Sequence, residues 1–317
     1  LADLICNPLF LDEDIEREKK VILEEIKMVE DTPDDLVHEL FAEGFWNNHP
    51  LGRPILGTPA SVSALDQKTL RHYFSQTYVA SNFVVVAVGN LDHDCVRDLL
   101  ERALVNAPHT GPAADESAPV VAPVIQVRKK ELEQSHIVFG TEALPQHHPE
   151  RYAGYALNTT LGGSMSSRLF QNVREKRGLA YSVFSGLSAY QDAGALSIYA
   201  GCANEAVAEL IDVVVAEIRM MKADGLAPVE LRRAKDHLKG SLMLGLESTS
   251  SRMSHLARQE MYRDQTFGLD EMLAAIEAVT EAHVLKLADR FFTNGSLAVT
   301  VLGNVNGLHV TKEQLAL

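Results

Sequence analysis

Two stretches of this chain, far apart, finish in the same way, and this constrains the fold more than any other feature. The first runs KTLRHYFSQTYVASN, then the apolar FVVVAV, then Gly89-Asn90. The second runs EAHVLKLADRFFTNGS, then LAVTVL, then Gly303-Asn304. The two asparagines are 304 − 90 = 214 residues apart. His49-Pro50-Leu51-Gly52 and Gln265-Thr266-Phe267-Gly268 match likewise, with an offset of 268 − 52 = 216. Such self-similarity reads as a duplicated domain. If the copies are equal, the first lacks roughly 90–110 residues ahead of Leu1. The opening LADLICNPLF, a segment already under way, agrees with a fragment.

The 317 residues are enough for two domains, at ~100–200 residues each. Residues 107–123, APHTGPAADESAPVVAP, carry four prolines and no helical period. They are expected to link the C-terminal part of a first domain, 1–106, to a second domain, 124–317. With 46% hydrophobic and 23% charged residues the chain is globular in composition. Lysine plus arginine against aspartate plus glutamate gives 29 − 43 = −14, which argues against nucleic acid or an anionic membrane as partner. No apolar run approaches the ~18–20 residues of a transmembrane helix, and no signal peptide is visible. Cys6, Cys95 and Cys202 form no CxxC pair, which fits a reducing compartment such as the cytoplasm.

Apolar periodicity predicts helices near 12–32, 34–46, 66–78 and 93–104, then 150–162, 166–176, 204–223, 228–246, 250–263 and 269–292. Strands are predicted at 83–89, 124–130, 135–142, 180–187, 194–201 and 296–302. Strands next to strands, followed by a long helical run, argue for an α+β fold with an antiparallel-rich sheet covered by helices.

Three sets of residues could carry chemistry. In the helix EDIEREKKVILEEIKMVEDT, Glu18 and Glu25 are seven residues apart, so they differ by only ~20° in direction and ~10.5 Å in height. Both can face one cleft; equally, they can be the solvated face of an amphipathic helix. The matching positions of the second copy fall in Arg232–Lys235 and Lys239–Leu242, so the scaffold does not itself demand two acids there. The twelve histidines include no HExxH, HxxEH or HxxxH, and taken singly each reads as a surface or satisfied core residue. A zinc site needs about three protein ligands, and no convincing set is present. In GGSMSSRLFQNVREKRGLAYSVFSG, residues 162–186, Gly162-Gly163 ends one helix, and Ser164 or Ser166 is placed to cap the next. Arg174 and Tyr181 flank the Lys176-Arg177-Gly178 turn. They can converge to hydrogen-bond peptide carbonyls, or simply be a helix–turn–strand joint with a basic cluster. Neither nucleotide-binding glycine pattern is present.

Together IEREKKVILEEIKMVEDTPDD, HPLGRPILGT, LGGSMSSRLFQNVREKRGLAYSVFSG and the closing LGNVNGLHVTKEQLAL resemble the M16 peptidases. This is the pitrilysin, insulin-degrading and processing-peptidase family of inverted zinc proteases. The resemblance covers essentially the whole chain and is nearest to the processing-peptidase branch. It implies two homologous domains, the first truncated here, enclosing a peptide or unfolded segment. It implies a zinc-dependent endopeptidase, with two histidine ligands and a general-base glutamate in an HxxEH motif and a further glutamate ligand about 75 residues later. On this chain the implied Zn2+ ligand is Glu25, with Glu18 behind it as support. Arg174 and Tyr181 match the family's second-domain pair, implied to bind substrate backbone and the developing oxyanion. HxxEH is missing and is expected about 50 residues ahead of Leu1. The chain as it stands is therefore expected to be nearly inactive and to bind zinc weakly. The resemblance also suggests a homodimer or a paired subunit. The other expectation it allows is a non-catalytic member serving as scaffold of a larger assembly.

Overall fold

The computed structural model describes residues 1–105, 107, 111, 117–263 and 266–317. In chain order the helices are α1 (Ala2–Cys6), α2 (Asp12–Asp31), α3 (Pro33–Phe45), α4 (Pro59–Ser63), α5 (Gln67–Thr77) and α6 (His93–Ala103). There follow α7 (Arg151–Leu161), α8 (Val207–Asp224), α9 (Pro228–Gly245), α10 (Thr249–Arg263), α11 (Leu269–Glu277) and α12 (Glu281–Phe291). The strands are β1 (Ile125–Lys129), β2 (Gln134–Glu142), β3 (Ala180–Ala189), β4 (Gly194–Ala203) and β5 (Ala298–Gly303). They form a mixed α/β fold with one five-stranded sheet, ordered β1-β5-β2-β4-β3. Every pairing is antiparallel except β1 with β5. Among the described residues no helix is long and apolar enough to cross a membrane.

The duplication survives in the element bounds. Helix α5 maps onto α12 at both ends, 281 − 67 = 214 and 291 − 77 = 214, while α2 and α9 start 216 residues apart, 228 − 12. Helices α3 and α10 also start 216 apart, 249 − 33. Both α5 and α12 open on a capping side chain, Asp66 accepting from the Thr69 N–H and Thr280 from the His283 N–H.

The chain divides into two compact units, each drawn from several segments. One comprises Leu1–Val29, Ile55–Ser117 and Leu244–Thr266; the other comprises Glu30–Pro54, Ala118–Met243 and Phe267–Leu317.

The second unit is three-layered, and strand alternation decides which side chain enters which layer. Ile137 and Phe139 of β2, Ile198 and Ala200 of β4, and Val299 and Val301 of β5 pack with Leu157, Leu161, Leu210, Val214 and Leu287 of α7, α8 and α12. Their neighbours Val138, Tyr199, Ala298 and Leu302 face Val37, Leu40, Phe41 and Phe45 of α3. Helix α3 starts at Pro33, the first-turn position where a missing N–H costs nothing. It lies so close to β2 that a Cβ at Gly140 would overlap the Phe41 ring.

Among its described residues the first unit has helices and no strand. The run expected as a strand at 83–89 forms none. A strand exists only where its N–H and C=O groups find a ladder, and no described strand runs beside it; Val84 and Val85 are exposed. The helix expected over 269–292 is two helices. Thr280 caps α12 with a reciprocal Thr280–His283 box, so the chain restarts there. Of the expected linker, residues 108–110 and 112–116 lie outside the described residues.

Candidate functional site

Arg174 and Tyr181 both belong to the second unit, and its local chemistry brings them together. Helix α7 ends at Gly162, whose close approach to β3 leaves no room for a side chain: a Cβ would stand 2.6 Å from the Ser185 nitrogen. The Ser185 N–H donates to the Gly162 carbonyl at 3.1 Å. The next helix is capped by neither Ser164 nor Ser166. Ser167 takes that place, its buried hydroxyl accepting from the Phe170 N–H at 3.4 Å, because Ser164 is turned back to the Thr159 carbonyl. Two residues on, the helix widens into a π-helix over Phe170–Glu175. The Lys176 N–H reaches back five residues to the Gln171 carbonyl at 3.0 Å.

Arg168 fastens the start of this element. Its guanidinium donates twice to Glu230, at 2.8 and 2.7 Å, and once to the Gly225 carbonyl at 2.8 Å. That fork is the strong, bidentate kind of ion pair. Farther on, Asn172 donates to the buried Glu217 of α8. The helix ends at Gly178 with φ +62°, the left-handed conformation that glycine adopts without strain. The Gly178 and Leu179 N–H groups return to the Arg174 and Val173 carbonyls at 3.1 and 2.9 Å.

Strand β3 then begins with a bulge. Ala180 pairs with Cys202 and Ser182 with Gly201, so Tyr181 is the extra residue and stands 79% exposed. Bulges re-aim side chains in this way. The Tyr181 ring lies 4.6 Å from the Arg174 guanidinium carbon, and Phe170 lies 4.7 Å from the same carbon. Stacking occupies the faces of the planar guanidinium rather than its N–H edge. The pair thus offers an arginine edge and a phenol together.

Glu18 and Glu25 lie in the first unit, both exposed on α2. The buried stripe of that helix runs through Ile15 and Ile26, and by helical geometry both acids flank it on the same side. Zinc takes about three protein ligands. Among the described residues no group of three or more His, Cys, Asp or Glu can hold a metal ion. The residues described do not by themselves make a zinc site.

The structure also unites three titratable side chains that sequence reading leaves apart. Under α3, His136 and the Tyr199 hydroxyl are 2.9 Å apart, and His38 stacks on the Tyr199 ring at 5.4 Å. Burial pushes both histidines below their ordinary value, against the pull of Asp34 and, for His38, Asp35. Burial likewise pushes the tyrosine up to about 12. The only sequence sign is strand alternation, which puts 136 and 199 on pleated faces without revealing that those faces coincide.

With this geometry in place, comparison with known proteins decides the family. The model for "Peptidase M16 inactive domain" matches residues 64–238, and that for "Insulinase (Peptidase family M16)" matches residues 1–59. The chain belongs to the M16 peptidase family. A Bacillus subtilis relative named an uncharacterized zinc protease, YmxG, is 39% identical over 293 residues, 92% of this chain and 71% of the relative. A Mycobacterium leprae relative of like name is 36% identical over 308 residues, 96% of this chain and 69% of the relative. The solved peptidase M16 inactive domain of Pseudomonas fluorescens superimposes with a TM-score of 0.90 at 21% identity, covering 97% of this chain and 74% of that one. A protease from Helicobacter pylori gives 0.85 at 19% identity, covering 95% and 74%. At such identity the two structures speak for the M16 fold alone.

Proposed function

We propose that this M16 chain is part of a zinc-dependent endopeptidase that cuts peptides or unfolded segments. The observation that carries this reading is the meeting of Arg174 and Tyr181 beside an exposed, bulged strand start. Their chemistry suits a peptide backbone. The arginine edge and the phenol are hydrogen-bond donors, and a substrate carbonyl, above all one gaining charge, is an acceptor. The relatives' zinc-protease names support the same activity.

In this proposal Glu25 is one zinc ligand and Glu18 the carboxylate that supports it, while Arg174 and Tyr181 bind substrate. Residues 1–106 then belong to the metal-bearing domain and 124–317 to the substrate-binding one, in a protein that pairs with a second M16 chain. Three free cysteines, one of them exposed, are in keeping with the cytoplasm. A second reading is a non-catalytic subunit. It draws on the "inactive domain" description of the family model that matches residues 64–238.

The test is cleavage of a quenched fluorescent peptide by the protein expressed from its complete coding sequence. The proposal expects turnover that a chelator abolishes and zinc restores. A well-folded, zinc-loaded protein without turnover would move the assignment to the non-catalytic reading.

A further inference from the structure

The wide helical turn that carries Arg174 is tied on its far side to a buried acid for which the substrate reading has no use. At Gln171 the helix is still α-helical, the Gln171 N–H donating four residues back to the Ser167 carbonyl at 3.0 Å. At Lys176 the reach is five residues, and the turn over Phe170–Glu175 is a π-helix. One extra residue is therefore taken into the turn. Each residue of an α-helix turns the chain by ~100°, so Arg174, late in the wide turn, is displaced by up to about that angle relative to the start that Arg168 holds. The direction of its guanidinium depends on the wide turn keeping its shape.

Asn172 sits in the middle of that turn. Residues two apart on a helix point to nearly opposite sides. Asn172 accordingly goes inward to α8, while Arg174 goes outward to the Tyr181 ring, 4.6 Å from its guanidinium carbon. The Asn172 amide donates to Glu217 of α8, and its oxygen accepts from Lys176 at 2.8 Å. The Arg177 guanidinium donates to the Asn172 backbone carbonyl at 3.1 Å. Asn172 is thus held from three directions.

Glu217 is 4% exposed, and Asn172 is its one hydrogen-bond partner among the described residues. Burial holds its carboxyl above the ordinary range, against the Asn172 bond and the pull of Arg168, Arg177 and Lys176. A carboxyl in such a place costs stability, and an apolar pair of like shape would fill it about as well. Packing alone does not call for the acid. What an acid–amide bond adds over an apolar contact is direction, since a hydrogen bond weakens steeply away from its line.

We propose that Glu217 is a positioning residue: through Asn172 it locks the wide turn in the register that aims Arg174 at Tyr181 and at the bound peptide. The inference rests on the reading of Arg174 as a substrate-binding residue, and neither Asn172 nor Glu217 touches substrate in it. Without the bond the turn relaxes toward the tighter α-helical form, and the arginine edge swings off the carbonyl it should meet. A misplacement of about 1 Å can lower a rate about 10²-fold.

The experiment is steady-state cleavage of a quenched fluorescent peptide by the protein expressed from its complete coding sequence. Asn172→Leu together with Glu217→Met replaces the bonded pair by an apolar one of like shape, which spares stability. This double variant should lose about 10²-fold in kcat with a much smaller change in KM, because the arginine's bond counts most for the developing oxyanion. Glu217→Gln, which keeps an oxygen for Asn172, should hold turnover to within about twofold of the unaltered protein. In an Arg174→Gln background the apolar pair should lower turnover by no more than about twofold, since no aim is left to lose. A merely structural pair would cause the same loss in both backgrounds. Equal losses in the two backgrounds, or full turnover with the apolar pair in place, overturn this proposal alone. No turnover in the unaltered protein, or undiminished turnover in Arg174→Gln, overturns the substrate reading and this inference with it.

Discussion

The two compact units share a helical plan and differ in what those helices cover. Helices α5 and α12 start and stop 214 residues apart, one in each unit. In the second unit α12 lies with α7 and α8 over a sheet whose other face is filled by α3. In the first unit the buried apolar residues are Ile15, Ile26, Val62, Val79 and Ala107, while Leu4, Leu9, Ile55, Tyr73 and Leu99 are exposed. The lesson is about kinds of information. A helix closes its own hydrogen bonds and caps, so both copies form theirs. A sheet is collective, and LAVTVL became β5 between two neighbours whereas FVVVAV remained irregular.

If the comparison is right, the same kind of damage should hurt the second unit more. Phe139→Ala removes a fully buried ring from between β2 and its covering helices, and should cost about 3–5 kcal/mol. Val79→Ala, at the most buried apolar position of the first unit, should cost only about 1–2 kcal/mol. Urea unfolding of each variant checks this, and equal losses would show the first unit to be as well filled as the second. Gly140→Ala probes the seam under α3, where the new methyl meets Phe41. A loss of about 1–3 kcal/mol is expected, the usual cost of overpacking, and a neutral result would mean α3 is loosely held.

A pH series sharpens the picture at the same seam. His38 and His136 are held below their ordinary value of 6.5 in the folded state. The unfolded chain therefore binds more protons near and below that value. Their stabilisation is present above it and is lost as pH falls through the folded-state values. Buried Glu217, raised by burial, works the other way, its share fading as pH rises through its raised value. The melting temperature of the second unit should fall as pH drops below about 6.5, and His136→Gln should flatten the decline. An unchanged slope would remove the histidines as its cause. The smallest effect on stability belongs to the pair proposed to bind substrate: Tyr181→Phe, at an exposed ring, should shift stability by less than about 0.5 kcal/mol.

Much of this was legible in the chain. Amphipathic periods placed α2, α3, α5 and α7 to α10 within a few residues, and alternation placed every strand of the sheet. The convergence of Arg174 and Tyr181 could be anticipated because Gly178 turns the chain between them. What could not be read depended on partners. The bulge that frees Tyr181 is defined only against β4. The π-helix that carries Arg174 against Phe170 has no pattern of its own. The His38–Tyr199–His136 cluster needed α3 docked on two paired strands. The break before α12, by contrast, was written in Thr280 and His283 as a capping box, and apolar periodicity running through it hid the signal.

The functional account rests on a division of labour, metal on Glu25 and peptide on Arg174 and Tyr181. The most direct test compares zinc content and turnover for Glu25→Gln and Tyr181→Phe in the protein expressed from its complete coding sequence. The account predicts that Glu25→Gln loses tight zinc and turnover together, while Tyr181→Phe keeps its zinc and turns over about 10²–10³-fold more slowly. Full zinc occupancy in Glu25→Gln, or undiminished turnover in Tyr181→Phe, would contradict it.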